Sequence, residues 1–244
     1  MKPLSVSVSL SDILEGENRL DATFYASDVY LVKRILKDCE NNSIPINNIK
    51  DYSKGTFNPP PIKRIFTDDK KLGTPYMLPQ EMFNFVWEPR KYVLADKMEN
   101  IEDWFLKRDW IVLTQSGTVG KPYFINEEDE GIVLSQNAIR ILPKDGVYSG
   151  YLYAYLSTWI GQTLLKKDEF GITVKHIRPH HVDAIPIPHI NEDLQKEIHN
   201  NIKEAFALKA KANDLIEKSK KIIYETLGAP EDNLFDDEEE ENRD

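Results

Sequence analysis

Residues 110–143 read Trp110-IVLTQSGTVGKPYFINEEDEGIVLSQNAIRIL-Pro143, and their pattern decides how the rest of the chain is understood. Trp110 to Thr114 is a run of large apolar and β-branched residues, which predicts a buried strand. Gln115 to Gly120 forms a small polar turn punctuated by Gly117 and Gly120. Val119 to Ile125 resumes an extended pattern interrupted at Pro122, and an acidic loop follows from Asn126 to Gly131. Ile132–Leu134 and Ala138–Leu142 read as further strand, with Ser135, Gln136 and Asn137 between them. The expectation is one small β-substructure presenting two polar loops, Gln115–Lys121 and Ser135–Asn137, of the kind that carries recognition on a rigid scaffold.

The Gly-Thr-Val-Gly-Lys string of the first loop does not make a phosphate-cradling P-loop. That motif needs a glycine five positions before the Gly-Lys pair and a Ser or Thr after the lysine. Gln115 and Pro122 stand at those two positions, so the metal-holding hydroxyl is missing. What remains is a tight turn whose glycines supply positive φ, or a loop that touches nucleic acid.

Working outward, the chain of 244 residues is long enough for one large domain with an appended element. Its apolar fraction of 41% supports a real core. No apolar run reaches the length of a membrane span, and the polar, alternating start is not that of a signal peptide. Cys39 is the single cysteine, which excludes an internal disulfide and a cysteine-based zinc site and fits a buried small apolar residue in a cytosolic protein. The net charge of −10 at first argues against nucleic acid, but the segment Glu231 to Asp244 holds nine acids and one arginine. Residues 1–230 are therefore left at about −2 of that −10, so a local basic face is compatible with the composition. The acidic end reads as a disordered solvating tail.

Taken in order, Ser5 to Leu14 starts with strand-like alternation, and Tyr25 to Glu40 carries a helical stripe of Val29, Val32, Ile35, Leu36 and Cys39. Ile44 to Phe66 reads as loop-rich, with Lys54, Lys63 and Arg64 around Asn58-Pro59-Pro60-Pro61. Asn-Pro-Pro followed by an aromatic would mark an adenine-N6 methyltransferase. Here the fourth residue is Pro61, and no glycine-rich turn for S-adenosylmethionine is present, so a rigid polyproline loop is the better reading. Leu72 to Phe83 predicts a turn, a strand and a turn; Trp87 to Met98 is extended; Tyr148 to Leu165 is helical. Lys166 to His181 is the most basic stretch, a solvated loop or a phosphate-contacting one. Its His180 and His181 are not at metal-ligand spacing, since neighbours on an extended chain point apart.

After the extended linker Ile185–Pro188, a long helix is predicted from Asn191 to Leu227, ended by Gly228, Ala229 and Pro230. Leu194, Ile198, Asn201, Ala205, Leu208, Ala212, Leu215, Ser219, Ile222 and Thr226 alternate in steps of four and three, which is a coiled-coil seam. Such a helix is about 55 Å long at about 1.5 Å per residue. One domain of this size cannot cover it, so a partner helix is expected; Asn201 and Ser219 would weaken that pairing while fixing its register.

Together these strings resemble a known family. NRLDATFY (18–25), GTPYMLPQEM (73–82), DWIVLTQSGTVGKPYFI (109–125), LSQNAIRILP (134–143), YLYAYLSTWIGQ (151–162) and FGITVKHIRPHHVDAIPIPHI (170–190) occur in that order before a coiled-coil helix. The chain is similar to the DNA specificity (S) subunit of type I restriction-modification systems over about residues 4–227. The resemblance implies an α+β fold: a target recognition domain with a β-rich core over residues 1–189, then one long coiled-coil helix over 190–228, with the acidic tail at 229–244. It implies a non-catalytic sequence reader of double-stranded DNA, without a cofactor or metal of its own. A DNA methyltransferase subunit is the implied partner, with a restriction subunit as a further one. Full-length members carry two recognition domains and two helices, whereas this chain resembles half of one. A homodimer through the C-terminal helix would restore the pair, with Leu194, Ile198, Ala205, Leu208, Ala212, Leu215 and Ile222 as interface residues.

Direct readout suggests which residues would carry specificity. Gln and Asn pair bidentately with adenine, and Lys or Arg with guanine. The candidate DNA-binding residues are Gln115, Thr118, Lys121, Gln136, Asn137, Lys175 and His176, with Thr74 and Arg64 as secondary choices. Two other readings stay open at this point. One is an adenine-N6 methyltransferase or nuclease fragment, carried by Asn58-Pro59-Pro60 alone; the other is a coiled-coil interaction scaffold without a DNA role.

Overall fold

The computed structural model describes residues 7–15, 20, 24–171 and 173–230. The expectations for most of the NRLDATFY string, for the first six residues and for the acidic tail fall outside these residues. In chain order the elements are α1 (Leu10–Glu15), α2 (Ser27–Asn41), β1 (Ile46–Asn48), α3 (Ile49–Tyr52), β2 (Ser53–Phe57), β3 (Phe66–Thr67), β4 (Thr74–Met77), β5 (Lys91–Val93), β6 (Ile111–Thr114), β7 (Pro122–Phe124), β8 (Val133–Leu134), β9 (Ala138–Pro143), α4 (Ser149–Ser157), α5 (Trp159–Lys167), α6 (Pro179–Asp183), β10 (Pro186–Pro188) and α7 (Glu192–Leu227). The expected mixed α+β organisation, β-rich and then one long helix, is what forms.

Three sheets organise the domain. The central one has the order β2-β9-β6-β7, with all its pairings antiparallel. A second has the order β3-β5-β4-β8, in which β4 and β8 run parallel. The third is the short pair β1-β10. Strand β6 is buried along its whole length because both of its faces are covered. Successive side chains on a strand point to opposite faces. Ile111 and Leu113 join Phe124, Ile139 and Ile141 against α2, α4 and α5, while Val112 joins Tyr123, Ala138 and Leu134 against Met77, Met82 and Trp110 on the other side. That two-sided burial is why the run lacks polar alternation. Fully burying such a side chain contributes about 1.5–3 kcal/mol.

Several sequence expectations need correcting. Ile132–Leu134 and Ala138–Leu142 do not share one β-substructure: β8 pairs with β4 and β9 with β6. The Ser135–Asn137 loop is therefore a bridge between two sheets. The loop-rich reading of Ile44–Phe66 missed β1, α3 and β2, whose short, polar and glycine-containing segments carry little periodicity. Ile185–Pro188 is not a free linker, because β10 pairs residue for residue with Ile46–Asn48. Within Ser5–Leu14, Leu10 onward is helical. The helix expected over Tyr148–Leu165 is two helices that break at Thr158, whose side chain caps α5 by accepting from Gly161 N at 3.2 Å. A Cβ at position 161 would collide with the backbone of Tyr155 and Leu156, so the glycine permits the sharp α4–α5 corner. His180 and His181 sit in α6, not on an extended chain, and their rings lie 4.2 Å apart.

Helix α7 starts and stops as its sequence dictates. Asn191 caps it by accepting from Asp193 N at 2.8 Å, Glu192 and Asp193 complement the N-terminal dipole, and Gly228 ends it at φ 62°. One face rests on the chain's own domain. Ile198, Ile202 and Phe206 pack on the core, and Gly150 lets α4 approach so closely that an added Cβ would lie 2.7 Å from His199 Cα. Lys203 pairs with Asp109 at 3.8 Å, Lys209 lies over the Tyr123 ring at 5.1 Å, and Lys220 pairs with Glu88.

Beneath Lys209, the Tyr123 hydroxyl reaches Asp129 at 3.5 Å. Burial lifts the Asp129 carboxyl to about 6, opposed by hydrogen bonds from Asn126 and Tyr123 and by the Lys209 charge. A raised native pKa means that the folded state holds this proton more tightly than the unfolded chain, so the group favours folding at low pH and costs stability above its native pKa. Asp129→Asn is accordingly expected to stabilise the protein at about pH 8, by on the order of 2 kcal/mol. Urea unfolding at about pH 8 and about pH 5 checks this, the difference between the proteins shrinking at the lower pH.

Candidate nucleic-acid interface

The Gln115–Lys121 turn is built from the end of β6. Thr114 donates its hydroxyl to Thr118 O and accepts from Lys121 N at 2.9 Å. Gly120 N returns to Thr114 O at 2.8 Å. Gly117 and Gly120 both adopt positive φ, 74° and 73°, the conformation their residue type allows at little cost. Gln162 of α5 donates to Gly120 O at 2.9 Å and fixes the turn from behind.

The second loop is held from below by a residue that sequence reasoning passed over. Arg140 is fully buried in β9. Its guanidinium donates to Leu134 O and Ala138 O at 2.7 Å each and to Ser135 O at 3.3 Å. Burial pulls its pKa down to about 9, with Asp103 and Tyr76 opposing the shift, so it stays charged at neutral pH. Asn58 fastens the two loops together. Its amide donates to Gln115 Oε1 at 3.1 Å, Gln136 O at 3.2 Å and Ala138 O at 2.7 Å. The Asn-Pro-Pro string thus serves here as a clamp that continues from β2. Its sequence signal was an asparagine at the end of an unrecognised strand; that of Arg140 was a lone cation in the apolar run Ala138–Leu142.

The basic stretch arrives at the same place. Residues 170 and 176 exchange two backbone hydrogen bonds, 3.0 and 2.8 Å, closing a small loop that exposes Lys175. His176 bridges to Ser116, and Ile177 N donates to Gln115 O at 3.1 Å. The structure so gathers the turn at 115–121, the loop at 135–137 and the loop at 170–176 into one region.

Within this region lies a cleft of about 470 Å³. Thr118, Lys121 and Asn137 line it, together with Ser116 and Thr114. Its opposite wall is the segment after β4, including Gln80 and Phe83. Lys121 Nζ sits 3.8 Å from the centre of the Phe83 ring, a cation–π contact. Of the other expected readers, Gln115 faces Asn58, and Gln136 is half-buried with an Oε1 that meets no donor among the described residues. Thr74 and Arg64 do not line the cleft. Thr74 pairs with Val93 in the second sheet, and Arg64 donates to the Tyr76 hydroxyl at 3.1 Å. Among the described residues no group of His, Cys, Asp and Glu is arranged to hold a metal, and no helix is long and apolar enough to cross a membrane.

The seam residues of α7 divide. Leu194, Leu208, Leu215 and Ile222 are more than half exposed, Ala205 is exposed, and Ala212 is half-buried. Ile198 instead packs on the core of its own domain.

Comparison with known proteins gives a family. The sequence profile of the type I restriction modification DNA specificity domain matches residues 33–218. No curated protein matches the chain. Among solved structures, it is similar to a type I restriction-modification system S subunit from M. genitalium, with a TM-score of 0.46 and 18% identity over 74% of this chain and 44% of that one. It is similar also to the HsdS subunit from Thermoanaerobacter tengcongensis, with 0.47 and 13% over 68% and 38%. The type IIG restriction endonuclease BpuSI gives 0.49 and 11% over 80% and 30%. The chain spans less than half the length of each of these proteins.

Proposed function

This chain belongs to the type I restriction modification DNA specificity domain family, and from that premise we propose that it reads DNA sequence for a methyltransferase complex and contributes no catalytic group of its own. The observation that carries the reading within the fold is the convergence of two polar loops on one cleft, with the basic loop joined to Ser116 beside it, positioned by clamps at the half-buried Asn58 and the buried Arg140. Rigid placement is what base readout requires, because a side chain must meet the donor and acceptor pattern of a groove edge within hydrogen-bond tolerance.

The division of labour follows from chemistry and exposure. Thr118, Lys121 and Asn137 would face base edges from the cleft. Lys175, exposed, and His176, which bridges to Ser116, would meet phosphate and set orientation. Methyl transfer belongs to the methyltransferase partner, and cleavage to a restriction subunit where one assembles. A second copy of the chain, joined through α7, would supply the other half-site reader. The complex would work in the cytoplasm, in reach of DNA.

The double variant Lys175→Ala, His176→Ala tests this phosphate assignment in an electrophoretic shift assay with the partner subunit present. Affinity is expected to fall to a similar degree on every DNA sequence, and the slope of log affinity against log salt to shrink by about 1. Unchanged affinity with an unchanged slope would remove this loop from the interface.

A further inference from the structure

We infer that Gln80, on the wall of the cleft opposite the two recognition loops, reads an adenine, and that Phe83 positions Lys121 as the reader of a neighbouring guanine. This rests on the DNA-reading assignment above and adds to it a specificity-determining residue from the second sheet.

Five glutamines lie in the described part of the chain, and the side chains of three of them are committed. Gln115 accepts from Asn58, Gln162 donates to Gly120 O and Leu156 O, and Gln195 is buried and donates to Ile190 O. Gln136, within the loop that Asn58 holds, has an unpaired Oε1 among the described residues but is half-buried and does not line the cleft. Gln80 alone is exposed with its amide in contact with no partner among the described residues, and it lines the cleft.

Its backbone is nevertheless fixed. Leu78 N donates to Glu81 Oε2 at 2.7 Å, and Glu81 N donates back to Leu78 O at 3.0 Å. Pro79, buried, sets its own φ. Ser135 N donates to Met77 O at 3.0 Å, so the turn that carries Gln80 is tied to the loop that carries Asn137. A free amide on a held backbone is the arrangement that a base reader needs, since little ordering entropy then opposes contact. The amide presents one donor and one acceptor side by side, matching N7 and N6 of adenine.

Lys121 meets the second requirement. Its ammonium has no carboxylate partner among the described residues and rests on the Phe83 ring. The half-buried ring packs edge-on against Tyr123 and is therefore itself fixed. An ammonium held there approaches from the same cleft as Gln80 and suits guanine O6 and N7. Two readers in one cleft imply adjacent or next-adjacent base pairs of a single half-site.

The test is selection of bound duplexes from a random-sequence library by the full chain with its methyltransferase subunit, for wild type, Gln80→Ala, Lys121→Ala, Phe83→Leu and Phe83→Tyr. Gln80→Ala should relax one A·T position, with discrimination there falling by about 5- to 150-fold, and leave the others sharp. Lys121→Ala should relax a nearby G·C position. Phe83→Leu should relax that same position more weakly, and Phe83→Tyr, which keeps the ring, should restore it. A Gln80→Ala profile identical to wild type, or one weakened equally at every position, overturns the adenine assignment. A Phe83→Leu profile that keeps the guanine position sharp overturns the positioning role. If wild type itself enriches no sequence, the DNA-reading assignment fails first and this inference falls with it.

Discussion

Replacing Leu208 and Leu215 together by Glu is expected to convert a two-fold assembly into single copies and to abolish sequence-specific binding, while the recognition domain keeps its melting temperature. Both leucines are more than half exposed on the free chain, so the substitutions take nothing from its own core. In a symmetric pair each would be removed twice, and at about 1.5–3 kcal/mol per buried leucine the lost stabilisation is on the order of 6 kcal/mol or more, before the repulsion among the new carboxylates. That is enough to raise a dissociation constant by at least about 10⁴-fold. Light scattering on the chain, with and without its methyltransferase subunit, reads the change. Ile198 is a poorer probe than its seam position suggested, because it packs against the chain's own core and a charge there would unsettle the fold. A double variant that keeps the assembled mass would show that another surface joins the copies.

The second large effect is expected at Arg140. Arg140→Met keeps much of the apolar bulk but strips donors from the carbonyls of Leu134, Ser135 and Ala138. Relieving the desolvation of a buried cation offsets part of the loss. The carbonyls prevail because hydrogen bonds from a charged donor contribute about 1.5–3 kcal/mol each and three backbone groups lose them together. A net destabilisation of about 3 kcal/mol lowers the melting temperature by about 6–12 °C in a domain of this size. The Ser135–Asn137 loop would lose its shape as well, so specific binding should weaken more than binding to random DNA. An unchanged melting temperature together with unchanged specificity would show that Arg140 shapes nothing the function uses.

How much of this was legible in the sequence depended on range. Strand β6, the helix α2 and the start, length and stop of α7 are written in local patterns, and the chain folds them as read. Partnership between distant segments was not. Whether Val133 pairs with Ala138's strand or with Tyr76 is a tertiary choice that no local pattern expresses. The β1–β10 pair uses prolines and asparagines that look like linker. At the candidate site, Thr118, Lys121 and Asn137 could be picked by residue type, and they come to line one cleft. Gln115 was picked for the same reason, yet its amide faces Asn58, a clamp across 57 residues of chain. Gln80 and Phe83 were missed because they lie far from the recognition loops in sequence and reach them only when β4 pairs with β8.

The central claim is that this domain reads DNA sequence, twice, through two copies related by the α7 seam. The measurement that tests it most directly is selection of bound duplexes by the purified chain with its methyltransferase subunit, followed by sequencing. The account predicts an interrupted site with inverted symmetry, whose recovery falls steeply as salt is raised. Recovery of no preferred sequence, or of a site without inverted symmetry, would contradict it.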